Sequence, residues 1–372
     1  MSLNMVFHVP FPLDESASSA SGLRPTRMLQ AFKDAGYNVD VISGSAKQRK
    51  LNIQEIKRKI RTGYSYDFVY SESATIPTMF TEKKHLPIHP FLDLGFLAWM
   101  RKHGIPVGLF YRDIYWAFES YELPIGKGII KRLATSVMRA IYRYDLWMYR
   151  MGVSILYTPS LEMRKFVPIY PRKRMRALPP GLCITENSNI DKRLNIVYVG
   201  GIGSHYQIDS LLEAVANFPE VELTICTRSE EWDKEKENYS RYINSNISVV
   251  HKSGTDLDAI YKNANIGAIV VTPNIYRTFA VPYKFFEYLG HGIPILASKG
   301  TLAGEMTEKM GVGWTIPNDV DSIKKKMEYL NEDKTEFEEK IRAARKIRLQ
   351  HTWLMRARQV AGELSSNNRD YT

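Results

Sequence analysis

The chain has 372 residues, 44% of them hydrophobic and 24% charged, which describes a soluble globular protein of two domains and excludes a disordered one. Its net charge of +11 asks for an acidic partner: phosphate in a substrate, an anionic membrane surface, or nucleic acid. The two cysteines, Cys183 and Cys226, cannot form a disulfide framework and lack the spacing of a metal site, so both read as buried thiols.

No apolar run approaches the roughly 20 residues of a membrane-spanning helix. The start, MSLNMVFHV, lacks the basic flank and long apolar stretch of a signal peptide, so a cytoplasmic protein is expected. In chain order, Asn4 to Val9 reads as a strand, Pro10 to Gly22 as a loop of small residues, and Leu23 to Ala35 as a helix ended by Gly36. A strand at Val39 to Ile42 follows, then a charged helix around Ile53 to Ile60 and a strand at Phe68 to Tyr70. Glu72 comes directly after that strand and so stands at the carboxyl edge of its sheet. A helix near Leu92 to Lys102 and a strand at Val107 to Phe110 precede Arg112-Asp113. Asp113, at a strand end, suits a general base and equally a structural acid paired with Arg112.

From Lys127 to Arg150 the sequence reads as one long helix. Ile130, Leu133, Val137, Ile141, Tyr144 and Met148 share a face, while Arg132, Arg139, Arg143 and Arg150 gather on the other, bordered by Trp147, Tyr142 and Tyr149. Phe91, Leu94, Phe96, Leu97 and Trp99, ahead of Arg101-Lys102, form a second aromatic and basic cluster. The pattern fits a surface resting on anionic headgroups, and it fits as well an ordinary helix with its apolar face on the sheet and a solvated basic back. Nucleic acid is not expected, because no recognised module is present and the basic residues sit on one helix.

After the strand Val153 to Tyr157, Pro179-Pro180-Gly181 and the polar segment from Thr185 to Lys192 mark a domain boundary. A second alternating series opens with a strand at Asn195 to Val199, the glycine loop Gly200-Gly201-Ile202-Gly203-Ser204-His205-Tyr206, and a helix from Ile208 to Asn217. Close glycines between a strand and a helix let backbone amides approach a phosphate. Strands follow at Val221 to Cys226, Ile247 to Val250, Ile266 to Val271, Ile293 to Ala297 and Trp314 to Ile316. The fold class is thus α/β, with two doubly wound, Rossmann-like domains.

The most informative segment is VPYKFFEYLGHGIP, Val281 to Pro294. It sets Lys284 and Glu287 three residues apart on one face of a short helix that starts after Pro282 and ends at Gly290 or Gly292. An ammonium and a carboxylate there suit the diphosphate and ribose of a nucleotide sugar, with the helix amino terminus adding partial positive charge. The bland alternative is a solvated Lys–Glu pair on an amphipathic helix.

This block resembles the donor-site motif P-x-K-x-x-E-Y-x-x-x-G-x-P of group 1 (family 4) glycosyltransferases of bacterial polysaccharide type. The resemblance implies the GT-B arrangement, two Rossmann-like domains facing across a cleft: residues 1–181 for the acceptor, residues 182–352 for the donor. It implies also that the carboxyl-terminal helix, about 353–372, crosses back to the first domain. Lys284 and Glu287 take the diphosphate and ribose roles. Where the family carries an Arg and a Lys on the glycine loop, this chain has Gly201 and Tyr206, so Gly200, Gly201, Gly203 and Tyr206 form an altered phosphate cradle that Arg277 supplements. Phe279 stands where the family's first glutamate would be, and the amides near Phe279 and Ala280 are candidates to meet sugar or phosphate. Ser18, Arg24 and Arg27 fall in the first domain's flexible phosphate and acceptor loop, although Arg24 and Arg27 read equally as a solvent-facing pair. Arg112-Asp113 is similar in position to the catalytic His-Asp pair of retaining members, with Glu72 nearby, which makes Asp113 and Glu72 the catalytic candidates.

The expected function is therefore a metal-independent hexosyltransferase, without cofactor, that moves a sugar from a nucleotide-diphosphate donor to an acceptor. The acceptor is expected to be a saccharide or polyprenyl-diphosphate-linked saccharide of capsule or exopolysaccharide assembly, peripheral on the inner face of the cell membrane. A sugar-nucleotide epimerase of the same fold and a catalytically degenerate partner subunit are the alternatives.

Overall fold

The computed structural model describes residues 3–14, 20–124, 127–185, 193–203 and 206–367. The chain divides into two units, Met1–Pro179 with Trp353–Thr372, and Pro180–Thr352.

In the first unit the strands are β1 (Leu3–His8), β2 (Tyr37–Ile42), β3 (Phe68–Glu72), β4 (Val107–Phe110), β5 (Ile155–Thr158) and β6 (Met175–Ala177). They form one parallel sheet in the order β2-β1-β3-β4-β5-β6. The connections hold α1 (Ala20–Asp34), α2 (Ala46–Arg61), α3 (Leu92–Lys102) and α4 (Gly128–Gly152). β3, β4 and β5 are buried along their whole length, as is usual for the central strands of a parallel sheet. The last helix, here α12 (Trp353–Asn367), packs in this unit. A Cβ on Gly108 of β4 would lie 2.8 Å from the Tyr157 ring and 3.0 Å from Leu364 of that helix, so glycine permits the close approach.

The face that α4 turns inward differs from the one the sequence pattern suggests. Ile130, Leu133 and Val137 are exposed, while Thr135, Tyr142, Asp145, Leu146 and Tyr149 are buried. The inward polar side chains are held by hydrogen bonds: the Thr78 amide donates to Asp145 Oδ2 at 2.7 Å, Tyr149 and Thr78 share a hydroxyl pair at 2.8 Å, and Tyr142 donates to the Thr75 carbonyl at 2.9 Å. Tyr142 also stacks on Trp116. These bonds let a polar face pack, so the helix is not an ordinary one with its apolar stripe on the sheet. Arg139 is not a solvated basic residue either, since it donates to the carbonyls of Trp116, Phe118 and Tyr121. The second aromatic cluster is mostly core, with Leu94, Phe96 and Leu97 buried and Arg101 donating to the Val153 carbonyl.

The second unit contains β7 (Leu194–Val199), α5 (Asp209–Ala216), β8 (Val221–Cys226), α6 (Ser229–Tyr239), β9 (Ile247–Val250), α7 (Leu257–Asn263), β10 (Ile266–Ile269), α8 (Tyr283–Gly290), β11 (Ile295–Ser298), α9 (Leu302–Met310), β12 (Gly313–Ile316), α10 (Val320–Glu332) and α11 (Lys334–Ile347). Its parallel sheet runs β12-β11-β10-β7-β8-β9. Separate apolar clusters fill its two sides, one built on Leu211, Leu212 and Ile323, the other on Phe285, Phe286 and Leu289. Each fully buried side chain of this size contributes about 1.5–3 kcal/mol. Helix starts are capped where the sequence supplies a short polar side chain: Thr301 accepts from the Gly304 amide at 3.1 Å and Asp319 from the Ser322 amide at 2.8 Å. Cys226 is buried, whereas Cys183 is exposed, against the expectation for both thiols.

Candidate functional site

In a doubly wound sheet a ligand crevice opens at the carboxyl ends of two adjacent strands whose connections leave in opposite directions. In the second unit those strands are β7 and β10, because β8 and β9 lie on one side of β7 and β10, β11 and β12 on the other. The glycine loop follows β7, and the segment carrying Arg277 follows β10 and leads into α8. Topology alone therefore converges on the elements that hold Lys284 and Glu287.

Lys284 sits in the first turn of α8, whose chain enters through Pro282 in an extended conformation. Its Nζ is buried, makes no hydrogen bond among the described residues, and lies 3.8 Å from the centroid of the Tyr198 ring. Glycine at position 200 is what lets the ammonium in. A Cβ there would stand 2.8 Å from Nζ, and the backbone has φ +147°. Tyr198 is held by its own hydroxyl, which donates to the Gly201 carbonyl at 2.6 Å. Burial pulls the Lys284 ammonium down to about 7; Arg277 adds to the fall and Glu287 opposes it. A buried ammonium without an acceptor is costly, and an anion reaching it removes that cost. This is not the solvated Lys–Glu pair of the bland reading.

Glu287, one turn on, accepts a hydrogen bond from the Tyr261 hydroxyl at 3.2 Å. Burial raises its carboxyl above the usual range, against the pull of that hydrogen bond and of Lys284. Tyr206 packs beside the glycine loop, its amide donating to the Gly203 carbonyl at 2.8 Å. The Arg277 guanidinium lies 4.6 Å from the Tyr206 ring centroid, and Lys284 Nζ lies 5.9 Å from it. Gly201 and Gly203 border α6: an added Cβ would meet Glu231 Oε2 at 3.2 Å and Glu235 Oε1 at 2.7 Å, respectively. The structure thus brings together Gly200, Gly201, Tyr206, Arg277 and Lys284, with Glu287 a turn further along α8. Tyr198, Tyr261, Glu231 and Glu235 are neighbours that no motif flags. Of these, only Tyr198 carries a sequence signal, its place just ahead of the glycines.

Phe279 is a core residue, packed against Tyr276. Its amide and that of Ala280 both donate to the Tyr276 carbonyl, at 3.4 and 3.0 Å. The tight turn from Ile275 to Thr278 therefore occupies the amides expected to meet a ligand.

In the first unit, Glu72 is fully buried at the end of β3. It accepts from Tyr70 at 2.9 Å and Arg112 at 3.1 Å, and Arg24 Nε lies 3.5 Å away. A carboxylate held among two guanidiniums and a phenol is placed to anchor structure. Arg112 spends another donor on the Ser73 carbonyl at 3.1 Å. Asp113 Oδ1 accepts from the amides of Ile114 and Tyr115 at 2.6 and 3.0 Å, where the chain enters the short turn beginning at Tyr115. That geometry favours the structural acid over the base. Arg24 and Arg27 are not a pair. Arg24 is buried, its guanidinium 3.5 Å from the Phe110 ring centroid, and Arg27 is exposed. Ser18, like Ser204 and His205 of the glycine loop, lies outside the described residues. Among the membrane candidates on α4, Arg132, Arg143, Arg150 and Trp147 are exposed.

Residues 184–348 match the family model described as glycosyl transferases group 1, a segment that contains the whole of this site. No curated protein sequence matches the chain. Among solved structures, a sucrose-phosphate synthase from Thermosynechococcus elongatus is similar over 99% of this chain and 100% of its own, with a TM-score of 0.65 and 13% identity. A glycosyltransferase from Rickettsia africae is similar over 99% and 100% of the two chains, with a TM-score of 0.65 and 11% identity. HepE of Anabaena, solved in complex with UDP and glucose, is similar over 98% and 100%, with a TM-score of 0.62 and 14% identity. At such identities the likeness is one of fold, the GT-B class expected from the sequence.

Proposed function

We propose, from the group 1 glycosyltransferase domain at residues 184–348 and the residues gathered at its sheet edge, that the protein transfers a sugar from a nucleotide-diphosphate donor to an acceptor hydroxyl. One observation carries the reading: a buried Lys284 ammonium without a hydrogen-bond acceptor among the described residues, reached past a glycine at position 200 and beside a helix amino terminus. A diphosphate is the anion such a place suits, because ammonium, helix dipole and loop amides act together on it. In the proposed mode Lys284 and Arg277 neutralise the diphosphate as the sugar leaves, and no metal is assigned to that role. Glu287, with one oxygen engaged by Tyr261, keeps its other oxygen for the ribose hydroxyls. HepE was solved with UDP, which supports uridine as the first base to test.

For the acceptor we propose a saccharide or polyprenyl-diphosphate-linked saccharide of cell-surface polysaccharide assembly, capsule or exopolysaccharide, with a hexose as the sugar moved. The protein would then work as a peripheral protein on the inner face of the cell membrane. Residues 182–352 take the donor role, and residues 1–181 with the last helix the acceptor role.

Calorimetric titration with UDP and UDP-glucose tests the donor reading. Saturable binding that Lys284→Ala abolishes, in a protein that melts as before, is the expected result. Wild-type protein that binds no nucleoside diphosphate overturns it and leaves a degenerate partner subunit. Conversion of the bound nucleotide sugar without any acceptor would make the protein an epimerase instead.

A further inference from the structure

Helix α4 presents to solvent the face that an amphipathic helix ordinarily buries. Ile129 is 84% exposed, Ile130 68%, Leu133 65% and Val137 52%, and Trp147 and Met151 continue the exposed stripe toward the other end. At about 100° per residue these six fall within an arc of about 100°, running roughly 30 Å along the helix. The inward side is already occupied by Tyr142, Asp145, Leu146 and Tyr149, the three polar ones hydrogen-bonded to Thr75 and Thr78, so rotating the helix to hide the stripe would break those buried bonds. The sequence has put apolar residues outside while its polar residues hold the helix down.

The charges beside the stripe identify what covers it. Arg132, Arg143 and Arg150 are exposed and flank the apolar arc along one side. The sole acidic residue of α4, Asp145, is buried on the Thr78 amide. Lys131 is paired with Glu122 at 2.5 Å, whereas Arg132, Arg143 and Arg150 form no salt bridge among the described residues, so the surface charge of the helix left for a partner is arginine. A second copy of the chain fits poorly, because isologous pairing of two such faces would bring like charges together. An apolar arc with a cationic border and an aromatic side chain at one end is the pattern of a helix lying in a headgroup layer.

We infer that α4 is an interfacial helix which inserts Ile129, Ile130, Leu133 and Val137 into an anionic lipid surface while Arg132, Arg143 and Arg150 engage the lipid phosphates. This reverses the docking expected from the sequence, where the basic side alone rests on headgroups. The inference deepens the peripheral-membrane part of the proposed function and rests on it for its biological sense, but it needs no nucleotide and is tested without one.

The full chain is floated with vesicles of phosphatidylcholine alone and of phosphatidylcholine with phosphatidylglycerol, at low and high salt. Wild-type protein is expected to float with the anionic vesicles at low salt and to stay behind with the neutral ones. Leu133→Glu with Val137→Glu should lower the vesicle affinity at least tenfold. Arg132→Gln with Arg143→Gln and Arg150→Gln should lower it about fivefold for each arginine. Both variants should keep the wild-type melting temperature, since all five positions are exposed. Wild-type protein that ignores anionic vesicles at low salt overturns the inference, as does a Leu133→Glu, Val137→Glu variant that floats like wild type. A concentration-dependent dimer abolished by the same double substitution would overturn it in favour of a second copy, and capture by an acidic protein without vesicle binding in favour of a protein partner. Protein that floats yet binds no UDP upholds α4 and defeats the donor reading, and the reverse result does the opposite.

Discussion

The depressed ammonium of Lys284 makes donor affinity depend on pH in a calculable way. Only the charged form neutralises a diphosphate, and burial lowers its pKa to about 7 in the ligand-free protein. With that value, about nine-tenths of the lysine is charged at pH 6 and about one-tenth at pH 8. Apparent affinity scales with the competent fraction, so the Kd for UDP-glucose should weaken about tenfold between those two conditions. UDP-glucose is the ligand of choice because its diphosphate carries no oxygen that titrates in this range. The bound diphosphate returns Lys284 toward its ordinary range, so binding at pH 7 takes up about half a proton. Calorimetry in two buffers of different ionisation enthalpy reads that uptake directly. The same shift acts on stability. The folded value lies below the unfolded one, so between about pH 7 and the ordinary lysine range the unfolded chain holds more protons, and ligand-free stability rises with pH across that window. Below it the penalty is complete, and Lys284→Met should stabilise the ligand-free protein while removing donor binding. An affinity for UDP-glucose that stays flat from pH 6 to pH 8, with no proton uptake, would refute the reasoning.

Other consequences are as direct. Glu287→Ala should weaken UDP binding by about 10- to 100-fold, the worth of one hydrogen bond to a charged group, while inorganic pyrophosphate, which has no ribose, binds the variant as it binds wild type; equal losses for both would contradict the ribose role. Gly200→Val forces a β-branched residue into φ +147° and against Lys284 Nζ, so titration should show donor binding lost at a stability cost of about 1–3 kcal/mol. Glu72→Leu leaves the partly buried Arg112 without its carboxylate partner and removes the neighbour of the buried Arg24, which should cost about 3–5 kcal/mol in urea unfolding. If instead that variant keeps its stability but loses turnover, Glu72 is catalytic after all.

The parallel sheets were readable because buried parallel strands are near-continuous apolar runs, and Val107–Phe110, Val221–Cys226 and Ile247–Val250 fall where the pattern places them. Strand β6, Met175–Ala177, escaped notice as a short segment with arginine at its centre. The period of α4 was also legible, but periodicity gives the direction of a stripe and not what lies opposite it. The side of α4 that packs is decided by Thr75 and Thr78, more than sixty residues away in sequence. The same distance in sequence hid the fate of Glu72, whose guanidinium neighbours come from α1 and from the loop after β4. Lys284 and Glu287 stood out because proline and glycine punctuate their helix. Tyr198 and Tyr261, which cradle the two charges, come from a strand and a helix whose own local patterns are unremarked.

A crystal structure with UDP-glucose bound tests the central claim most directly. The account expects Lys284 Nζ within hydrogen-bonding distance of a diphosphate oxygen and Glu287 accepting from a ribose hydroxyl. A nucleotide bound elsewhere, with Lys284 still lying on the Tyr198 ring, would contradict it.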